Sequence, residues 1–538
     1  MNVLLIYPLF PKTFWSFEKT LELVGRKAML PPLGLVTVAA ILPQTWDYRL
    51  CDRNISEISE ADWDWAELVI LSGMIVQRDD FTAQIRAAKA RGKLVAVGGP
   101  YPTSIPEEMS AAGADFLILD EGELTLPMFV EAIESGATSG TFRSGEKPDV
   151  TTTPVPRYDL LDLNAYTEMS VQFSRGCPFQ CEFCDIIVLY GRKPRTKAPE
   201  QLLAELQALY DLGWRRSIFL VDDNFIGNKR NVKLLLKALI PWMKERGYPF
   251  SINTEASVDL AQDVELMESM VEAGFSSVFL GIETPDEGSL EVTRKFQNTR
   301  DPLSESVQAI IHSGLRVMAG FIVGFDGEKT GAGQRIVEFV EKTTIPTAFF
   351  SMLQALPNTA LWHRLEREGR LLEGDVDKMG NQTNLINFIP TRPIEEIAQE
   401  YIDGFWQLYD PIKFMDRVYH HVRTFEAAPQ RQARRQVKKA FKAAGKDPQP
   451  FDFSILRALG IIAWRQGVVR KTRFKFWGYL WSLWRSQPDS IVSFLSVCAQ
   501  IEHFIEYRSI VKDQIEAQLA VYVAQKAKHD AEQPAIAA

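Results

Sequence analysis

Five cysteines occur in the 538-residue chain, and three of them, Cys177, Cys181 and Cys184, stand within eight residues in Phe173-Ser-Arg-Gly-Cys-Pro-Phe-Gln-Cys-Glu-Phe-Cys-Asp185. Thiolates are the preferred ligands of iron–sulfur clusters, and a cubane is normally saturated by four of them. Three thiolates leave one iron open. An open iron can chelate the amino and carboxyl groups of S-adenosylmethionine (SAM) and pass an electron into its sulfonium, which releases a 5′-deoxyadenosyl radical. In such chemistry the cofactor supplies reactivity and the protein supplies position. The alternatives are a zinc site, which wants a fourth Cys or His at comparable spacing, and inert buried thiols. The next histidine is the distant His312.

Position requires a scaffold. Apolar strands are expected at 170–173, 217–221, 250–254, 277–280, 317–322 and 348–353, alternating with helix-length segments, and the first leads into the cysteine loop. In β/α barrels, chemistry gathers at the carboxyl ends of strands. That rule selects Asp222, Asp223 and Asn224 after the second strand, Glu255 and Ser257 after the third, and Glu283 after the fourth. Helix capping or barrel salt bridges are the plain alternative for each acid.

Upstream, short strands at 3–7, 48–52, 68–72, 94–97 and 116–119 predict a doubly wound, flavodoxin-like parallel sheet over 1–135. Its ligand edge lies beyond the strand ends and carries Tyr7, Gly98, Gly99 and Asp120-Glu-Gly-Glu123. No Gly-x-Gly-x-x-Gly follows the first strand, so a dinucleotide has no phosphate cradle. Gly98 and Gly99 would let backbone approach a large flat ring. A Gly-, Ser-, Thr- and Pro-rich stretch, 136–165, reads as a linker. The second unit is 166–372, and 373–538 is α-helical in pattern.

Hydrophobic residues at 46% and charged residues at 24% are globular values. No apolar run approaches transmembrane length, and the opening residues lack the form of a signal peptide. Few cysteines, reading as thiolate ligands, fit a reducing cytoplasm. The formal charge of −9 conceals an asymmetry: residues 423–485 carry fifteen Lys/Arg against three acids. The same segment places Trp477, Trp481 and Trp484 on one helical face. Nucleic-acid binding, an anionic membrane surface and an ordinary core stripe are the competing readings. The Trp face favours core or membrane, because base-stacking platforms need exposed rings on sheets or channels.

The C-x3-C-x2-C spacing, with Phe183 before the third cysteine, matches the radical SAM superfamily. The Pro31-Pro-Leu-Gly-Leu35 segment, the Gly98-Gly-Pro100 turn and Asp120-Glu-Gly-Glu123 resemble the cobalamin-binding domain that precedes many radical SAM cores. Over nearly the whole length the chain resembles cobalamin-dependent radical SAM enzymes, and the hopanoid C-2 methylase group most. Tyr7-Pro-Leu-Phe-Pro-Lys-Thr-Phe-Trp15, Ser170-Val-Gln-Phe-Ser-Arg-Gly-Cys177, Val221-Asp-Asp-Asn-Phe-Ile-Gly-Asn228 and Gly320-Phe-Ile-Val-Gly-Phe-Asp326 carry that likeness.

The resemblance implies a partial β/α barrel core, a 4Fe–4S cluster on the three cysteines, SAM and cobalamin. It places Asp223, Ser257, Glu283 and Gly320 near SAM, and Tyr7, Gly98 and Gly99 near cobalamin. It implies two uses of SAM, one methylating cob(I)alamin and one giving the radical that opens an unactivated C–H bond. It implies a hydrophobic, hopanoid-type substrate and a reduced donor such as ferredoxin or flavodoxin. The basic segment 423–485 with its Trp face, taken with a bilayer-resident substrate, suggests peripheral contact with the inner face of the membrane, and no nucleic acid is expected. One departure matters. Better-known cobalamin proteins ligate cobalt through Asp-x-His-x-x-Gly, and this chain has no histidine before His312. A non-methylating cyclase or rearrangement enzyme is the alternative. A methylthiotransferase would need three more cysteines than Cys51 and Cys498 provide, and a cobalamin-binding scaffold would leave the cysteine triplet unexplained.

Overall fold

A computed structural model describes residues 1–372, 382–446 and 453–532. The first sheet holds six parallel strands, β1 (Asn2–Tyr7), β2 (Asp47–Asp52), β3 (Leu68–Ser72), β4 (Leu94–Gly98), β5 (Phe116–Ile118) and β6 (Gly140–Phe142), in the order β2-β1-β3-β4-β5-β6. Successive residues of β1 feed opposite layers, Leu4 and Ile6 into one core and Val3 and Leu5 into the other. A parallel strand covered by helices on both faces has this apolar run. Strand order reverses between β1 and β3, so a crevice opens at their carboxyl ends.

Two boundaries expected from sequence change. Gly140–Phe142 forms the sixth strand of the first sheet, which therefore extends past residue 135. The 136–165 segment is not a free tether either. Tyr158 and Tyr166 within or beside it are buried, their hydroxyls donating to the Ser170 carbonyl (3.0 Å) and to Asp52 Oδ2 (2.9 Å). A three-residue edge strand is too short for a periodicity signal, and its Gly and Thr neighbours read as loop.

The second sheet runs in chain order, all parallel: β7 (Glu168–Val171), β8 (Ser217–Leu220), β9 (Ser251–Ala256), β10 (Phe275–Glu283), β11 (Arg316–Val323) and β12 (Thr347–Met352). Alternate residues on one face pack under the helices. Those on the other, among them Glu255, Phe279, Met318 and Phe349, keep partial exposure and line an open lumen. This is the partial β/α barrel expected. The N-terminal chain crosses its open side. Trp15 stacks on Phe349 of β12, with ring centroids 5.6 Å apart, and Ala28 bridges to Tyr166 beside β7.

The helices that bear on the site are α1 (Glu18–Val24), α2 (Leu33–Ile41), α3 (Gly122–Glu134), α4 (Ile394–Leu408), α5 (Pro411–Phe425), α6 (Pro429–Ala443), α7 (Phe453–Trp464), α8 (Arg473–Ser486) and α9 (Ile491–Glu532). Phe14, in the connection between β1 and β2, stacks on Phe504 of α9, meets Phe405 and Tyr409 edge-on or tilted and meets Phe349 of β12 edge-on, which ties the helical region to the barrel. The core reading of the tryptophan stripe is overturned. Trp477, Trp481 and Trp484 are exposed, and the buried side of α8 is Phe476 and Leu483. Among the described residues no helix is long and apolar enough to cross a membrane. The polar stretch near 373–381 and the tail after residue 532 lie outside the described residues.

Candidate functional site

The cysteines occupy a loop closed by a short antiparallel ladder, Ser174–Arg175 against Arg195–Thr196. Gly176 enters the loop at φ +92°, and a Cβ there would stand 2.9 Å from the Gly191 carbonyl, so only glycine fits. Two acids from the end of β8 hold the approach. Asp222 accepts from the Phe173 amide (2.8 Å) and Ser174 Oγ (2.6 Å), and Asp223 accepts from the Gly176 amide (2.7 Å). Burial pushes Asp222 up to about 7 and Asp223 up to about 6, against the pull of these donors.

The sulfurs meet N–H donors. Asn224 Nδ2 lies 3.9 Å from Cys177 Sγ, and Gln297 Nε2 lies 3.7 Å from Cys181 Sγ. Such donors stabilise the anionic sulfurs of a cluster. Among the described residues no three His, Cys, Asp or Glu side chains converge closely enough to hold a single ion. A cubane asks each thiolate to meet a different iron, and three cysteines on one loop, two of them beside side-chain N–H donors, fit one.

Of the other residues expected around SAM, Ser257 and Glu283 lie at the carboxyl edge of the barrel and Gly320 lies within β11. Ser257 is buried, with Asn224 Nδ2 3.1 Å from its hydroxyl, so Asn224 bridges it to Cys177. Glu283, at φ +65°, is buried in an ion pair with Lys295. Gly320 sits in mid-strand, where a Cβ would come 3.1 Å from the Phe279 ring; its absence keeps the lumen clear. Glu255 faces the lumen. Burial, then the neighbouring Asp223 and Asp222 charges, push it up to about 7.

At the carboxyl edge of the first sheet lies a cavity of about 380 Å³. Its lining includes the apolar Val38 and Ile41 of α2, Ile70 of β3, Ile118 of β5 and Leu126 of α3, together with Tyr7, Gly98 and Gly99 of the first sheet's carboxyl edge and Gln172, Arg175, Tyr190 and Asp223 of the barrel unit. The cavity thus joins both carboxyl edges. Apolar side chains from α2, β3, β5 and α3, with the two glycines Gly98 and Gly99, would suit a large, largely apolar cofactor such as cobalamin. Gly99, at φ +96° and with no room for a Cβ beside Ser72 Oγ, keeps that edge thin.

Sequence reasoning missed the clamp across this junction. Arg175 Nη1 lies 2.9 Å from both Glu121 and Glu123, and Arg195 Nη2 lies 2.7 Å from Glu121. Burial works to raise the Glu123 carboxyl, yet Arg175 outweighs it and holds the group down at about 2. Lys295, Gln297 and the lumen ring of Trp15 were also missed. Each is far in sequence from the motif it serves, and only the fold brings them together.

A three-cysteine loop at one carboxyl edge and a cavity at the facing edge are the layout a cobalamin-binding radical SAM enzyme needs. Family models agree: the B12 binding domain matches residues 23–130, the Radical SAM superfamily 171–340, and a domain of unknown function (DUF4070) 359–517. An uncharacterised methyltransferase of Synechocystis sp. is 63% identical over 99% of this chain and 97% of its own length. The hopanoid C-2 methylase of Rhodopseudomonas palustris is 33% identical over 94% of this chain and 93% of its own. The solved structure of the cobalamin-dependent SAM radical enzyme OxsB, with aqua-cobalamin and SAM bound, superposes with a TM-score of 0.60 at 14% identity, covering 97% of this chain and 81% of that one. The chain belongs to the cobalamin-dependent radical SAM methyltransferases, and its cofactors are a 4Fe–4S cluster, SAM and cobalamin.

Proposed function

We propose that the substrate is a hopanoid, methylated at the unactivated ring carbon C-2. The observation that carries this reading is the lumen wall. Trp15 stacks on Phe349 and meets Phe279 edge-on at 5.6 Å, and Met318 and Ile322 lie on the same face of β11. Flat apolar rings suit a rigid polycyclic hydrocarbon, which offers almost no polar handle. The 33% identical relative named hopanoid C-2 methylase points the same way.

The chemistry agrees with the residues. An aliphatic C–H has no usable acidity, so a side-chain base cannot open it. The bound cofactors supply the radical and the methyl group. The chain's own part is placement: Cys177, Cys181 and Cys184 hold the cluster, while Asp222 and Asp223 fix the approach to it. In this reading Asp223, Ser257, Glu283 and Gly320 border SAM, and Tyr7, Gly98 and Gly99 border cobalamin. The electron comes from a reduced protein of the ferredoxin or flavodoxin class. The test is anaerobic turnover of the reconstituted enzyme with detergent-dispersed diploptene, followed by mass spectrometry of the lipid. A product one methyl heavier, with the added methyl at C-2, is expected. SAM cleavage without a methylated hopanoid overturns the substrate.

A further inference from the structure

We propose that the α7–α8 corner docks on an anionic lipid bilayer. This deepens the lipid-substrate reading and rests on it only for why a membrane would be visited. The helix α8 is apolar on two opposite sides. Its inner side buries Phe476 and Leu483 and stacks Tyr479 on Tyr419 of α5, with centroids 3.9 Å apart. Its outer side carries Phe474, Trp477, Trp481 and Trp484, at i, i+3, i+7 and i+10, all between 51 and 79% exposed. A surface helix whose inner stripe already fills the core has no folding reason for a second aromatic stripe. Trp464, Val468 and Val469 extend the patch around the corner from α7.

Charge identifies the occupant. From Phe453 to Pro488 the chain has seven Lys/Arg and no acid. Arg465 and Arg470 pair with Glu502, and Lys475 with Asp416. Among the described residues Lys471, Arg473 and Arg485 have no acid within ion-pair distance. The Arg473 guanidinium lies over Phe474 (5.0 Å) and that of Arg485 over Trp481 (4.8 Å). Aromatic rings flanked by unneutralised cations are what the headgroup region of an anionic membrane accommodates, the rings at the interface and the cations at the phosphates. A symmetric pairing of two copies through this face would instead set cation against cation.

The corner is also linked through packed helices to the segment that walls the lumen. The helix α1 begins three residues after Trp15 and packs against α7 and α9. The segment that walls the substrate lumen therefore leads directly to the proposed docking corner.

The experiment is co-sedimentation of the full-length enzyme with vesicles of phosphatidylcholine, with and without phosphatidylglycerol, all free of hopanoid. Binding to the phosphatidylglycerol vesicles at low salt is expected, and it should fall as salt shortens the Debye length. Each cation near such a surface contributes roughly fivefold to the partition coefficient. The triple variant Lys471→Glu, Arg473→Glu, Arg485→Glu should therefore lose about a hundredfold or more. The triple variant Phe474→Ser, Trp481→Ser, Trp484→Ser should also leave the vesicles. Both should retain SAM cleavage, which reports an intact fold. An enzyme that stays in the supernatant with anionic vesicles overturns the proposal. So does light scattering that shows a dimer dispersed by the aromatic variant, or RNA binding lost with the cations. Because no hopanoid is present, vesicle binding can succeed while the hopanoid assay fails, which would sink the substrate and leave the docking face standing.

Discussion

Arg175, two residues before the first cluster cysteine, spans the junction between the sheets and places its guanidinium against Glu123, with Nη1–Oε2 2.9 Å and Nη2–Oε1 2.8 Å. The strand-to-loop turn that presents the cysteines is thus latched to the domain whose cavity opens toward it. Both partners are largely buried, so removing one leaves an uncompensated charge, at a cost of about 3 kcal/mol or more. Arg175→Ala should lower the melting temperature and reduce methyl transfer more than SAM cleavage, since only transfer needs both edges in register. Arg175→Lys should recover part of the stability without the two-pronged geometry. Unchanged melting and an unchanged ratio of the two activities would remove the latch from the mechanism.

Replacing Cys177, Cys181 or Cys184 with Ala should abolish both cluster assembly and formation of 5′-deoxyadenosine, because two thiolates cannot hold a cubane. Cys51 and Cys498 are buried elsewhere, one at the end of β2 and one in α9. Their Ser or Ala variants should keep about four irons per chain. Iron analysis after anaerobic reconstitution decides it, and a Cys181→Ala enzyme that still cleaves SAM would contradict the cluster assignment.

Much of this site could be read before the fold was known. The cysteine spacing named the cluster, and polar residues after apolar runs located Asp222, Asp223, Ser257 and Glu283 at the barrel edge. All eleven strands expected from sequence are present, because buried parallel strands write continuous apolar runs. What could not be read was pairing at a distance. Nothing in the local sequence of Trp15 says that it will stack on Phe349, more than three hundred residues later. Asp223 looked like a SAM contact, and the fold adds that its carboxylate also anchors Gly176. The tryptophan stripe was ambiguous for a further reason: a helical aromatic face has the same periodicity whether it turns inward or outward.

Lumen aromatics should govern hydrocarbon binding and leave radical generation alone. Trp15→Ala and Phe279→Ala should raise the KM for a hopanoid by about tenfold or more, given the area a buried aromatic removes from water. The rate of 5′-deoxyadenosine release without lipid should hold. Gly320→Val, whose side chain would enter the space beside Phe279, should raise the KM as well, and because Gly320 also borders SAM in this reading it should slow 5′-deoxyadenosine release too. Equal KM values in all three would place the substrate elsewhere.

The helical region makes a pH-dependent contribution through His421. This imidazole is buried in α5, and its Nε2 accepts the Val317 amide of β11 at 3.2 Å, which only the neutral ring can do. Burial, then the Arg316 charge, hold it down at about 3. The free side chain titrates near 6.5, so as pH falls the unfolded chain takes up the proton first. The stabilisation is therefore complete above about 6.5 and is lost progressively toward 3. At pH 5.5 the loss from this group is about 1.4 kcal/mol. Urea unfolding of wild type and His421→Gln at pH 7.5 and 5.5 should show the gap between them narrowing by that amount. A gap independent of pH would mean the ring is not held neutral.

The cobalamin edge carries the last prediction. The first histidine in the chain is His312, on a barrel helix (Leu303–His312), so the first sheet offers no imidazole to cobalt. The apolar residues of the cavity wall, Val38 and Ile41 of α2 and Leu126 of α3, would hold the dimethylbenzimidazole arm if the cofactor binds with that base off cobalt. Electron paramagnetic resonance of the enzyme loaded with cob(II)alamin should therefore show no nitrogen superhyperfine splitting. Gly99→Val tests the same edge. At φ +96° a β-branched residue is strained, and its Cβ would meet Ser72 Oγ. That variant should lose most of its cobalamin while keeping its iron, since the cysteine loop is built on the other sheet. Nitrogen splitting in the wild-type spectrum would put a base on cobalt, and full cobalamin loading of Gly99→Val would move the ring off this edge.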